Sequence, residues 1–137
     1  MRRIGITGGI GSGKSVVSRL LRIMGYSVYD TDSEAKRLME SSLEVVQKLS
    51  ECFGRDIYHN GRLNRGLLSS RVFGESDKIV LLNSIVHTVV RFDFYRWSES
   101  LNEEICFVES AILYESRFDE LVDEVWTVTA PEELRIS

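Results

Sequence analysis

The feature that most constrains this chain is a glycine-rich octapeptide near its N-terminus. Residues 8–15 read GGIGSGKS and satisfy the pattern G-x-x-x-x-G-K-[ST]. The octapeptide follows a short apolar run at residues 3–7 that predicts a strand, and it opens an amphipathic stretch at residues 14–24 that predicts a helix. A strand, a glycine-rich loop and a helix N-terminus in this order are typical of a phosphate-binding loop.

The residue types in the octapeptide suit a phosphate chain for a direct reason. Converging backbone N–H groups hold phosphate well, and glycine at Gly9, Gly11 and Gly13 leaves room for that approach. The helix N-terminus adds unpaired donors and partial positive charge. We expect Lys14 to reach the outer phosphates and the Ser15 hydroxyl to ligate Mg²⁺. The alternative, a loop that merely turns the chain, leaves the lysine–serine pair without a task.

Strand and helix patterns alternate along the chain. Apolar runs at residues 3–7, 27–29, 105–108 and 125–128 predict strands, and helices are predicted at residues 14–24, 32–39, 43–53, 65–73 and 76–100. This alternation favours an α/β fold, a P-loop NTPase with a parallel sheet between two layers of helices. The helical block from about 43 to 100 is too long for a simple crossover, so we expect a substrate-binding insertion there.

Helical periodicity also suggests which side chains share a face. In the first helix, Val17, Leu20, Leu21 and Met24 recur at intervals of three and four residues. The long helix at residues 76–100 has a predicted buried side, consisting of Ile79, Leu82, Ile85, Val86, Val89 and Phe92.

Two acids follow the second predicted strand. Asp30 and Asp32 stand at its carboxyl end, and the carboxyl ends of parallel strands share one edge of a sheet. One carboxylate could orient Mg²⁺ through water, and the other could accept a proton from an attacking hydroxyl. The alternative is that Asp32, or Ser33 beside it, only caps the next helix. Both roles could coexist at different residues.

Composition narrows the class of partner. The chain has 137 residues, 43% of them hydrophobic and 28% charged, and a formal net charge of −4. No global basic field favours nucleic acid or an anionic membrane, and no apolar run reaches the length of a bilayer span. The first residues lack the apolar stretch of a signal peptide. Cys52 and Cys106 have no metal-ligand spacing, so we expect a reducing, cytoplasmic location.

Six segments, taken in order, resemble the dephospho-CoA kinases: IGITGGIGSGKSVV, GYSVYDTDSEAKR, GRLNRGLLSSRVF, IVHTVVR, FVESAILYES and DEVWTVTAPEEL. The resemblance covers essentially the whole chain and is much more specific than the phosphate loop alone. It implies ATP-dependent phosphorylation of the 3′-hydroxyl of the ribose in dephospho-CoA, the last step of coenzyme A synthesis.

The resemblance also implies roles for individual residues. Residues 11–16, Ser12 and Val16 among them, would contact the ATP phosphates. Asp32 matches the second acid of the family's Asp-x-Asp and would be the general base. Asp30 matches the first and would support the metal or the base. Glu109 stands where the family has aspartate. It keeps a carboxylate at the strand end, on a longer side chain, and it would contribute to the metal site.

On the coenzyme side, the resemblance implies four further residues. Lys36 lies where the family has a basic residue after the base, and Arg65 matches the arginine of a Leu-Asp-Arg motif. His87 and Arg91 match a His-Pro segment, although Thr88 replaces the proline. Without the family context, a histidine packed on a helix face is an equal reading of His87.

The family carries more chain than this sequence shows. After the fourth strand it has a helix, a lid with phosphate-clamping arginines, a fifth strand and an adenine-contacting loop. The sequence stops inside the helix that Pro131 begins, so we expect a truncated, incomplete single kinase domain that binds phosphate and turns over slowly or not at all. A missing strand would expose a sheet edge and favour self-association.

Two other function classes were weighed. A GTPase switch should show Asp-x-x-Gly and Asn-Lys-x-Asp motifs, and neither occurs here. A non-catalytic nucleotide-binding module stays open as a reading. Within the kinase class, enzymes acting on nucleoside monophosphates or shikimate share the loop and differ in the insertion.

Overall fold

A four-stranded parallel sheet forms the centre of the fold in a computed structural model, which describes residues 1–9 and 13–129. Its strands are β1 (Arg2–Thr7), β2 (Val28–Asp30), β5 (Ile105–Glu109) and β6 (Glu124–Thr127), in the spatial order β2-β5-β1-β6. All three strand pairings are parallel. The predicted α/β class is confirmed, and the strands fall within about one residue of their predicted positions.

Helix α1 (Lys14–Ile23) connects β1 to β2 and covers part of the sheet. Its Leu21 is buried in one cluster with Ile4 and Ile6 of β1 and Phe107 of β5. Val17 is partly buried against the same cluster. The other two members of the predicted apolar set, Leu20 and Met24, are exposed. The sheet therefore covers a narrower face of α1 than the periodicity outlines.

The remaining helices are α2 (Thr31–Ser41), α3 (Leu43–Phe53), α4 (Arg65–Val72) and α5 (Ser76–Ser100). Helix α3 begins after Ser42, whose side chain accepts a hydrogen bond from the Val45 N–H, and it ends at Gly54. Between α3 and α4, a short antiparallel hairpin joins β3 (Tyr58–His59) to β4 (Arg62–Leu63). Asn60 and Gly61 both have positive φ at its tip, as a tight hairpin turn requires.

Two sequence predictions for these helices are wrong in part. Helix α2 begins at Thr31 rather than at a cap on Asp32 or Ser33. On α5, Ile79 and Phe92 are exposed, although both were placed on the buried side. The residues that are buried there form a row along the helix at four-residue spacing: Val86, Val90, Phe94 and Ser98.

The chain divides into two compact units. The first combines residues 1–32 with the chain from Asp93 onward and contains the parallel sheet. The second, Ser33–Phe92, contains α3, α4, the hairpin and most of α2 and α5. Within the described residues, none of the helices has both the length and the apolar character needed to cross a bilayer.

Candidate active site

The start of α1 carries the residues that the sequence predicts to bind phosphate. Gly13 caps the helix with φ +92°, a left-handed conformation that favours glycine, and its carbonyl accepts the N–H groups of Val16 and Val17. Gly9 has open space where a side chain would begin, and Gly9, Gly13, Ser15 and Val16 are all exposed. The Lys14 and Ser15 N–H groups precede these first hydrogen bonds of the helix, so they are available to an anion.

Two residues predicted to contact ATP, Gly11 and Ser12, lie outside the described residues. Of the predicted phosphate loop, the structure therefore describes the start, through Gly9, and the end, from Gly13.

Lys14 pairs with the acid at the end of a neighbouring strand. Its Nζ lies 3.3 Å from Oε1 of Glu109, the last residue of β5. The side chains are 18% and 8% exposed, so water screens this pair less than it screens a surface ion pair. The lysine and the acid, predicted separately for the phosphate and metal sides, are thus in direct contact.

Asp30 lies beside Glu109 of this ion pair, and Asp32 follows two residues later. Asp30, the last residue of β2, is the register partner of Glu109 in the parallel pairing of β2 with β5. Asp30 Oδ1 accepts a hydrogen bond of 3.1 Å from the Asp32 N–H, so Asp30, rather than Asp32, receives an N–H of the first turn of α2. Asp32 is exposed on that turn. The sheet therefore brings Asp30 and Glu109 together at the carboxyl ends of their strands, where Lys14 pairs with Glu109. Asp32 lies two residues beyond Asp30.

A buried threonine between the aspartates was not singled out by sequence. Thr31 is 8% exposed, and its hydroxyl donates a hydrogen bond of 2.9 Å to the Glu109 carbonyl oxygen. The signal available in the sequence was a hydroxyl side chain flanked by two acids at a strand end. Its partner is 78 residues away along the chain, and no local pattern identifies it.

The segment after β5 is held close to the sheet. The Ser110 N–H donates 3.0 Å to the Ile6 carbonyl, and the Ile112 N–H donates 3.2 Å to the Ser110 hydroxyl. Leu113 is fully buried, and a Cβ placed on Gly5 would lie 2.6 Å from its Cδ1. The glycine in β1 thus makes room for the segment that follows Glu109.

The residues predicted on the coenzyme side lie in the second unit. Arg65 contacts α2. Its Nη2 donates a hydrogen bond of 3.4 Å to the Lys36 carbonyl and lies 4.0 Å from Glu40 Oε1, a long ion pair. Asn64, which precedes it, caps α4 by accepting a 3.0 Å hydrogen bond from the Leu67 N–H. The cap fixes where α4 starts, and thereby where the arginine leaves the backbone.

His87 and Arg91 lie one helical turn apart on α5. His87 is partly buried, and that burial lowers the pKa of its imidazole, with the positive charge of Arg91 acting in the same direction. The neutral imidazole is therefore favoured at neutral pH. His87 can donate and accept hydrogen bonds there, whereas Arg91 supplies the positive charge.

Comparison with known proteins identifies the family. The family model described as dephospho-CoA kinase matches residues 2–137. A dephospho-CoA kinase of Porphyromonas gingivalis is 47% identical over 135 residues, which cover 98% of this chain and 67% of the relative. One from Bacteroides fragilis is 42% identical, with 98% and 66% covered. This chain therefore spans about two thirds of the length of these relatives.

Solved structures agree with this result. A crystal structure of a Thermus thermophilus protein superposes with a TM-score of 0.80 at 35% identity, covering 98% of this chain and 69% of the other. A dephospho-CoA kinase from Campylobacter jejuni has a TM-score of 0.64 at 16% identity, which is a likeness of fold. The family match along nearly the whole chain and the identity to named relatives lead to one conclusion: this chain belongs to the dephospho-CoA kinase family.

Proposed function

We propose that this chain transfers the γ-phosphoryl group of ATP to the 3′-hydroxyl of dephospho-CoA, giving coenzyme A. The observation that carries the proposal is the Lys14–Glu109 pair at the carboxyl ends of the strands, where Asp30 ends the adjacent strand and Asp32 follows in the first turn of α2. A cation beside a helix N-terminus suits phosphate, and nearby carboxylates suit an attacking hydroxyl. Family membership supports the choice of substrate.

On the nucleotide side, the first turn of α1 binds the phosphates. The N–H groups of Lys14 and Ser15 donate to the phosphate oxygens, and the Lys14 ammonium exchanges its contact with Glu109 for phosphate oxygens. Lys14 then stays with the γ-phosphate as negative charge shifts toward the leaving ADP. Gly9 leaves the loop backbone accessible to the phosphate chain.

Mg²⁺ is the ion proposed to accompany ATP. The exposed Ser15 hydroxyl and the Glu109 carboxylate offer the oxygen ligands that this ion prefers. The described residues contain no group of three or more His, Cys, Asp or Glu side chains placed to hold a metal. Nucleotide and water oxygens would therefore supply most of the ligands, as is usual for Mg²⁺. The bound ion would neutralise charge on the phosphates.

On the acceptor side, Asp32 is the proposed general base. Its carboxylate takes the proton of the 3′-hydroxyl as the oxygen bonds to the γ-phosphorus and the bond to the β-phosphate oxygen breaks. Asp30 holds the Asp32 backbone through its Oδ1 contact and so supports the orientation of the base.

The second unit is the proposed binding region for the coenzyme precursor, as the helical block at about 43–100 suggested. Lys36, Arg65 and Arg91 offer positive charge to its diphosphate, and neutral His87 offers a hydrogen bond. This assignment follows the match of these positions to the family's motifs.

Two further properties are proposed, self-association and a cytoplasmic location. Because β6 is one edge of the described sheet and its Trp126 is 39% exposed, chains could pair through that edge. Light scattering at rising protein concentration tests this pairing, and a constant monomer mass would refute it. A cytoplasmic location is proposed because Cys52 and Cys106 are both free thiols.

The direct test is turnover with ATP, Mg²⁺ and dephospho-CoA, followed by mass spectrometry of the product. We expect coenzyme A to form slowly, in keeping with the low turnover predicted from the sequence, and we expect no product from an analogue that lacks the 3′-hydroxyl. Asp32→Asn should lower kcat at least 10²-fold, within the range for loss of a general base. Asp119→Asn, an exposed acid after β5, is the matched control. Transfer to shikimate or to a nucleoside monophosphate instead would identify a different kinase, and absence of transfer to any acceptor would refute the proposal.

A further inference from the structure

The backbone pairing of β2 with β5 ends at Asp30 and Glu109. The next contact between the two segments is a hydrogen bond from a side chain. Beyond that pair the two strands separate, since one enters α2 at Thr31 and the other turns at Ser110. Thr31 is the first residue of α2, and its side chain contacts the end of β5. The Thr31 hydroxyl donates to the Glu109 carbonyl at 2.9 Å and in a buried position.

This contact links two groups of proposed catalytic side chains within one unit. On one side, Thr31 lies between Asp30 and Asp32, whose chain segment is already tied by the Asp32 N–H to Asp30 Oδ1 contact. On the other side, Glu109 pairs with Lys14 at 3.3 Å. A displacement of Thr31 relative to the Glu109 carbonyl therefore changes the distance between the acceptor-side aspartates and the phosphate-side lysine.

The side chain is suited to fixing such a distance. Threonine is branched at Cβ, so its χ1 angle has few allowed values, and burial restricts it further. Valine has the same shape without the donor and would leave the Glu109 carbonyl without this hydrogen bond. Serine keeps the donor with a freer χ1.

We propose that Thr31 is a positioning residue for phosphoryl transfer: its buried hydrogen bond to the Glu109 carbonyl holds the Asp30–Asp32 turn in register with the Lys14–Glu109 pair. The inference rests on the proposed function and deepens it. Thr31 acts through the aspartates, because its hydroxyl is occupied by a backbone carbonyl.

The experiment compares Thr31→Val with Thr31→Ser in the full chain. We expect Thr31→Val to lower kcat about 10–100-fold, the size of effect that a small misplacement produces, with the Kd of Mg·ATP changed less than twofold. Thr31→Ser should recover most of that loss. A second readout is titration of dephospho-CoA into the complex with ADP, Mg²⁺ and aluminium fluoride, which mimics the transferring phosphoryl group. Thr31→Val should weaken this binding more than it weakens binding of Mg·ATP.

Ser116→Ala is the matched control. Ser116 is also buried, and its hydroxyl donates 2.6 Å to the Ile112 carbonyl, but it lies outside the turn with the aspartates. We expect it to lower the melting temperature and leave kcat within twofold. If Thr31 had only a structural role, Thr31→Val would behave like Ser116→Ala: the melting temperature would fall and kcat would stay within twofold.

The outcomes separate the two proposals. If the wild-type chain transfers phosphate or binds the fluoride complex, and Thr31→Val does so equally well, the positioning role is wrong and the kinase assignment stands. Equal losses in kcat and in Mg·ATP affinity also overturn the positioning role. If the wild-type chain does neither, the proposed function is wrong, and this inference is wrong with it.

Discussion

Replacing Glu109 with glutamine tests the ion pair on which the site depends. Glutamine has nearly the same size and keeps an acceptor oxygen, but it removes the negative charge 3.3 Å from the Lys14 ammonium. The change therefore isolates the electrostatic part of the contact. We expect two effects, on the stability of the fold and on the binding of ATP.

The size of the stability effect follows from the geometry. Two unit charges 3.3 Å apart attract by about 5 kcal/mol at an effective dielectric constant of about 20. Both groups lose hydration on burial, and the ammonium still donates to the glutamine oxygen, so the net loss is smaller, about 1–3 kcal/mol. With an unfolding entropy of about 2.1 cal/mol/K per residue, 137 residues convert this loss into a melting temperature lowered by about 3–10 °C.

The effect on ATP has the opposite sign when Mg²⁺ is absent. In the wild-type chain, Lys14 must leave Glu109 before it binds phosphate. In Glu109→Gln that competition is weaker, so we expect tighter binding of ATP in the presence of EDTA, by up to about tenfold. With Mg²⁺ present, loss of a carboxylate ligand should reduce or reverse the gain.

Urea unfolding followed by tryptophan fluorescence measures the stability, and calorimetric titration measures ATP affinity with EDTA and with Mg²⁺. Glu115→Gln, at an exposed glutamate in the segment after β5, should change stability by less than about 0.5 kcal/mol. Unchanged stability in Glu109→Gln, combined with unchanged ATP affinity in EDTA, would refute the reasoning, because Lys14 would then not be held by Glu109.

Three further predictions concern the supporting structure. Gly5→Ala should destabilise the fold by about 1–3 kcal/mol, because its Cβ would overlap Leu113; in a Leu113→Ala background the same change should cost little, and a double-mutant cycle by urea unfolding checks this non-additivity. Asn64→Ala should cost about 0.5–2 kcal/mol through loss of the α4 cap, whereas Asn64→Asp should retain the cap; equal losses in the two variants would contradict this. His87 has a lowered pKa in the folded chain, so the unfolded chain binds more protons as pH falls below about 6.5. Stability should therefore be complete above that pH and decline below it, and His87→Gln should flatten the decline in a pH series of melting temperatures.

Local patterns in the sequence predicted several elements within a residue or two. Helices α3 and α5 have the predicted bounds, and Asn60-Gly61, a pair that favours tight turns, forms the tip of the hairpin. Capping residues and positive-φ glycines act within a few residues of their own position, so a linear sequence records them.

The buried faces were less predictable. Periodicity indicates that an apolar face exists, but the neighbouring elements decide how much of it is covered. Leu20 on α1, Met24 at its C-terminal cap, and Ile79 and Phe92 on α5 are apolar and exposed, whereas Val90 and Phe94 are buried. Those outcomes depend on residues that lie far away in the sequence.

The sequence by itself determined the α/β alternation, and it predicted a phosphate loop and carboxylates at or just after the strand ends. Only the tertiary structure decided that β5 lies between β1 and β2, which places Glu109 beside both Lys14 and Asp30. It also decided that Asp30 accepts the N–H of Asp32, and that Thr31 bonds to the Glu109 carbonyl. The physical reason is range: caps and turns are set by neighbours in the chain, whereas strand order and buried hydrogen bonds are set by which distant segments pack together.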